Sequence, residues 1–160
     1  MIRKKDKNRS QYSTFENLRK MALTLAPETI GELPNANYGV FGAVIDVPMA
    51  RGSVALVALA DGTSSMYTST GGGIIGAGTH AQVKEANSSL LRTLVTMRHE
   101  FLSSAETELP PSTIVRFHLL TDSGRKIADI SAELFWKPSS HPLLPAVSAA
   151  QNFISALRSV

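Results

Sequence analysis

Residues 60–104 read ADGTSSMYTSTGGGIIGAGTHAQVKEANSSLLRTLVTMRHEFLSS, and this stretch decides the fold. Just ahead of it, Val54, Leu56, Val57 and Leu59 form an apolar run that stops at Asp61-Gly62. An Asp-Gly pair between two β-prone runs is a strong hairpin signal, because a type I′ turn asks for positive φ at both central residues. Residues 63–70 continue as a polar strand, and Gly71-Gly72-Gly73-Ile74-Ile75-Gly76-Ala77-Gly78 then opens the longest helix. Thr79 and Gln82 have capping-box spacing, which predicts Thr79 as N-cap and His80 as the first helical residue. Val83, Ala86, Leu90, Leu94, Met97 and Phe101 recur at steps of three and four, with Leu91, Val95 and Leu102 beside them. That is a wide apolar face, opposed by Lys84, Glu85, Ser88, Arg92, Thr96 and Glu100 on the wet side. Burial of its large members stabilises by roughly 1.5–3 kcal/mol each before entropy is subtracted.

Working outward, residues 38–47 alternate, yet both faces are apolar: Val40 and Val44 on one, Phe41, Ile45 and Val47 on the other. Residues 54–59 behave alike, so both strands are predicted to be buried on two sides. The loop 48–52 is too short for a crossover helix, which makes them antiparallel neighbours. Beyond the long helix, Pro110-Pro111 ends one segment and residues 113–120 form a strand, with Val115, Phe117 and Leu119 on one face and Arg116 and His118 on the other. Thr121-Asp122-Ser123-Gly124 is a turn, and 126–135 returns as a strand. Val147, Ala150, Ile154 and Leu157 repeat at helical spacing near the C-terminus. At the other end, Ser13 and Glu16 have capping-box spacing ahead of a narrow stripe (Leu18, Met21, Ala22, Leu25), predicting a short helix over 13–26.

The predicted order is α-β-β-β-α-β-β-α: a single α+β domain over 11–160, with helices packed on a mainly antiparallel sheet of about five strands. This element order resembles the broad profilin/roadblock class of small modules; no motif carries the resemblance, and it implies no functional residue.

Composition narrows the function classes. There are no cysteines, which removes disulfides, thiolate metal sites and cysteine nucleophiles and points to a reducing compartment or indifference to redox; a cytoplasmic setting is expected. No apolar run reaches spanning length, so no membrane span is expected. The net charge is +3, but Arg3, Lys4, Lys5, Lys7 and Arg9 against Asp6 account for more than all of it. Residues 1–10 are therefore read as a disordered basic tail on a near-neutral body, and no specific nucleic-acid partner is expected.

Two readings of function follow, neither requiring a cofactor. In the first, the chain is a non-enzymatic interaction module that self-associates and binds a partner protein. The two doubly apolar strands motivate it, because a narrow N-terminal stripe leaves one sheet face uncovered and a homodimer covers it. In the second, a small anion or phosphate ligand sits in the Gly-rich loop 71–79 at a helix N-terminus, contacted by Gly73, Gly76, Gly78, Thr79 and His80. Gly71, Gly73 and Gly76 do spell G-x-G-x-x-G, but the preceding strand is polar and no acidic residue ends a following strand about 20 residues on, which weighs strongly against a dinucleotide site. Arg116 and His118, sharing a strand face, are a further candidate pocket. The four histidines show no metal-ligand spacing, and no serine sits in a nucleophile elbow.

Overall fold

The computed structural model describes Arg3–Val160. Helix α1 (Lys4–Leu23) leads into a connector of short 3-10 turns. Strands β1 (Val40–Met49), β2 (Gly52–Leu59), β3 (Ser64–Thr68) and β4 (Gly73–Ile74) come before helix α2 (Ala81–Thr96). Then follow β5 (Leu102–Ser103), β6 (Ile114–Thr121), β7 (Gly124–Ser131), α3 (Ala132–Trp136) and α4 (Leu144–Arg158). The described residues form one seven-stranded sheet in the order β4-β3-β2-β1-β6-β7-β5, with every pairing antiparallel. The two strands beyond the expected five, β4 and β5, are two-residue edge pieces without an apolar pattern, which is why no periodicity announces them. No helix among the described residues is long and apolar enough to cross a membrane.

The sheet separates two cores. Ala43, Ile45 and Val47 of β1, with Leu56 of β2 and Phe117 and Leu119 of β6, face Leu90 and Leu94 of α2 and Phe153 and Leu157 of α4. On the opposite face Phe41, Val44, Val57, Leu59 and Leu120 meet Ala22 and Leu23 of α1, with Leu25, Ile30 and Leu33 of the connector alongside. This second core corrects the premise of the dimer argument. The face that a narrow stripe was expected to leave bare is covered by α1 together with its connector, and the face-counting reason for a second copy is removed.

Other differences have local causes. The basic segment 1–10 is not a disordered tail where it is described: from Lys4 onward it is the first turns of α1, since Lys and Arg are good helix formers and Ser13 is interior rather than a cap. Met1 and Ile2 lie outside the described residues. The last strand stops at Ser131, whose hydroxyl accepts from Leu134 N (3.1 Å) and caps α3, so Ala132 and Leu134 are helical rather than extended. Asp61-Gly62 does join β2 to β3, but not as a type I′ turn. Gly62 alone has positive φ (96°), Gly62 N donates to Leu59 O (2.9 Å), and Leu59 N donates to Thr63 O (2.9 Å). That is a three-residue loop with glycine at its left-handed position.

The glycines carry a sharp stability expectation. Gly73 has φ 153°, and a Cβ on it lands on the Met66 carbonyl of β3; a Cβ on Gly78 lands on the Gly62 carbonyl. Gly73→Ala and Gly78→Ala are each expected to cost more than about 1 kcal/mol in urea melts. Gly72→Ala, at φ 81° in open space, is expected to cost less than either. Leu94 is wholly buried, so Leu94→Ala is expected to cost about 2–5 kcal/mol, against almost nothing for exposed Lys84→Ala. Equal urea midpoints for those two would overturn the assigned face of α2.

Candidate binding groove and a buried ion cluster

The five residues expected at an anion loop follow one another around the start of α2. Gly73 lies in β4, Gly76 adopts a left-handed conformation (φ 71°), and Gly78 and Thr79 belong to a 3-10 turn over Ala77–Thr79. His80, not Thr79, is the N-cap residue of α2, and neither makes a side-chain capping bond. Thr79 and His80 are exposed. Ala77 is 3% exposed and Gly78 packs on the β2–β3 turn, so this loop seats the helix on the sheet.

Arg116 and His118 do share the sheet face toward α1, but they divide between two ion clusters. Arg116 makes a bidentate pair with Asp129 on the neighbouring strand β7 (2.8 and 2.9 Å). His118 is fully buried and donates from Nε2 to Asp46 Oδ2 (2.7 Å). Asp46 of β1 also accepts from Arg19 of α1, Nε to Oδ1 (2.7 Å) and Nη2 to Oδ2 (2.8 Å). Arg19 continues to the loop after β5, donating from Nη1 to Thr107 O (2.5 Å) and from Nη2 to Glu108 O (3.3 Å). Arg125 of β7 works alongside, donating to Leu23 O (3.0 Å) at the C-terminal end of α1 and to Glu106 O (2.7 Å). Two arginines thus bind α1, the sheet and one loop together, and Arg125 satisfies an end carbonyl of the helix.

The charge states follow from these contacts. Burial pushes the Asp46 carboxyl up, but the hydrogen bonds and charges of Arg19 and His118 outweigh it and hold it below the usual aspartate value. Burial pushes His118 down, and its bond to Asp46 only partly offsets this. Its Nδ1 is buried without a partner among the described residues, so a proton there adds a donor with no acceptor. The cluster is therefore one cation, one anion and a neutral imidazole. An Asp–His pair in this setting is sealed from any substrate: Arg19, Asp46 and His118 are 4%, 1% and 0% exposed. Its role is to fix α1 on the sheet. Arg19 and Asp46 escaped the sequence reading, although Asp46 is the lone charge in the apolar run 40–47 and Arg19 interrupts the face shared by Phe15 and Ala22.

A broad groove lies elsewhere, at the end of the sheet where the connector passes from α1 to β1. It encloses about 980 Å³ between α2 and residues 30–38, closed at one end by the β2–β3 turn. Its apolar walls are Ile30 and Leu33 on one side and Leu91 and Val95 on the other. The α2 side adds Lys84, Arg92 and Arg98, and the connector adds Glu32. Asn87 braces the closed end from within α2, donating to Thr63 O (3.0 Å) and Ser64 Oγ (2.8 Å). None of these residues was singled out as a site beforehand. The groove joins residues some 50 positions apart in sequence, and only the fold brings them together.

The ion cluster makes stability depend on pH. An unfolded chain takes up a proton at His118 near the ordinary histidine value of about 6.5, while burial lowers that value in the folded protein. The unfolded state then binds more protons, and stability is lost as the pH falls through that region. Urea midpoints are expected to fall between pH 7 and pH 5, and His118→Gln is expected to flatten that slope. An unchanged slope in the variant would place the titration elsewhere.

Compared with known proteins, the chain matches no family model, no curated protein and no solved structure, so its function is read from its own geometry.

Proposed function

We propose that this chain is a non-enzymatic binding module that holds a segment of a partner protein in the groove beside α2. The observation that carries this reading is the groove itself: about 980 Å³, with apolar residues on both walls and cations along one. That volume is at the upper end for small-molecule sites. From Lys84 to Thr96 the helix wall rises about 18 Å at ~1.5 Å per residue, a length that an extended segment of about six residues spans. Helix-lined grooves with apolar walls and a charged rim are a recurring way to hold a peptide.

The Asp46–His118 pair is inside the protein, so the groove reading does not draw on it. Kinship with the profilin/roadblock class and a cytoplasmic setting belong to the same proposal, supported by element order and composition alone; self-association loses its supporting observation once the second sheet face is covered. An anion at Gly73–His80 has no observation of its own, because the turn and packing contacts already account for the glycines.

Selection of peptides from a random 12-residue library on the immobilised chain tests the proposal. A consensus peptide is expected to bind with micromolar affinity and to shift backbone amide resonances of α2 and residues 30–38. Ser88 is an exposed groove residue on α2, so Ser88→Trp is expected to weaken that binding at least about tenfold without touching the core. No enrichment, or binding indifferent to the tryptophan, would overturn it.

A further inference from the structure

Tyr38, at the rim of the groove, is the one non-glycine residue with positive φ among the described residues (φ 52°). Glycine, and less often Asn or Asp, visits that region at little cost; an aromatic residue does not. The strain is not repaid by burial, because Tyr38 remains 62% exposed. In this conformation Tyr38 ends the 3-10 turn Asn35–Asn37, its N–H donating to Asn35 O (3.1 Å), and its ring lies against Arg98, whose guanidinium carbon is 3.7 Å from the ring centroid. Strained backbone of this kind clusters at active sites, ligand clamps and switch regions.

Arg98 is otherwise lightly engaged. Its Nη1 donates to Val95 O (2.9 Å), and no other hydrogen bond or ion pair within the described residues uses its guanidinium. With Nη1 on Val95 O and the guanidinium carbon over the Tyr38 ring, the Nε and Nη2 donors of Arg98 have no partner among the described residues, and such a pair of donors can hold a carboxylate through two parallel bonds. The surrounding charges are polarised in the same sense. Lys84 and Arg92 share the α2 wall, Arg92 in an exposed pair with Glu85 (3.4 Å), while Glu32 is on the facing connector. Asp61, at the closed end, already accepts from Thr63 N (2.9 Å) in its own turn.

We infer that Arg98, positioned by Tyr38, is the anchor for a carboxylate side chain of the bound segment, and that the partner is an acidic–apolar peptide stretch. Its apolar side chains enter between Leu33 and Leu91, and its Asp or Glu residues lie toward α2. This inference rests on the groove reading above and adds the chemistry of the occupant.

The same library selection tests it, read for composition and then by fluorescence anisotropy on the full chain. Wild-type selection is expected to enrich Asp or Glu among apolar residues. Arg98→Gln is expected to weaken the consensus peptide about tenfold or more. A peptide with Gln in place of its Glu is expected to lose a similar factor and to be indifferent to Arg98→Gln. Tyr38→Gly relieves the backbone strain while removing the ring, so melting temperature is expected to hold or rise while affinity falls; this separates anchoring from folding. Consensus peptides without acidic residues, or equal affinity for wild type and Arg98→Gln, would overturn the anchor. Peptides that respond to Ser88→Trp but not to Arg98→Gln overturn the anchor alone, whereas indifference to both overturns the groove reading itself.

Discussion

A carboxylate at the centre of a strand that is apolar on both faces has to be neutralised where it stands, and the architecture on one side of this sheet follows from how Asp46 is neutralised. Its two oxygens receive N–H groups from Arg19 and His118. Arg19 reaches it only if α1 lies across β1, and the remaining Arg19 donors then fix the carbonyls of Thr107 and Glu108. One buried charge therefore determines where a 20-residue helix lies and which loop borders it. Removing one partner from such a cluster leaves an uncompensated charge in the interior, a loss of about 3–5 kcal/mol in comparable cases, whereas replacing the whole cluster by apolar groups is often close to neutral. Its value is placement more than net stability. α1 is exposed over most of its length, with Phe15, Arg19, Ala22 and Leu23 as its buried residues, and apolar burial alone specifies its position weakly.

The groove is a consequence of that placement. With α1 fixed over the sheet, its connector turns around the end of β1, where Ile30 and Leu33 pack on the smaller core and at the same time face α2. The opposite wall belongs to a helix whose inner face is committed to the larger core through Leu90 and Leu94. Two elements held by different cores thus confront each other across a space neither fills. Asn87 and the β2–β3 turn close one end by hydrogen bonds, and the Tyr38–Arg98 stack borders the other.

Much of the fold is legible in the chain. The stripe of α2 from Val83 to Val95, the two doubly apolar strands and the hairpin at Asp61-Gly62 appear where the residues place them, because each signal is local and repeats at a period of 3.6 or 2. The helix stops at Thr96, however, so Met97 and Phe101 are buried from beyond its end, and Leu102, expected on its apolar face, is an exposed residue of β5. The candidate site is not legible in that way. Arg116 and His118 share one face yet have different partners: register puts Arg116 opposite both Asp46 and Asp129, but it pairs with Asp129, while Asp46 takes Arg19 and the diagonal neighbour His118, which stands opposite Val44 and Ile127. The groove residues lie on segments with no shared periodicity, so pattern reading does not connect them.

By itself the sequence determined an antiparallel α+β domain with β1 and β2 at its heart, because hydrophobic periodicity and turn chemistry act over a few residues and survive any arrangement of the rest. It did not determine what covers the second sheet face. That depended on long-range contacts, the second apolar core and the pairing of Arg19 with Asp46, the latter between residues whose charges read locally as exceptions to an apolar pattern. Only the tertiary structure turned those exceptions into a clamp, and only the clamp brought a connector, a helix and a strained tyrosine to the edges of one groove.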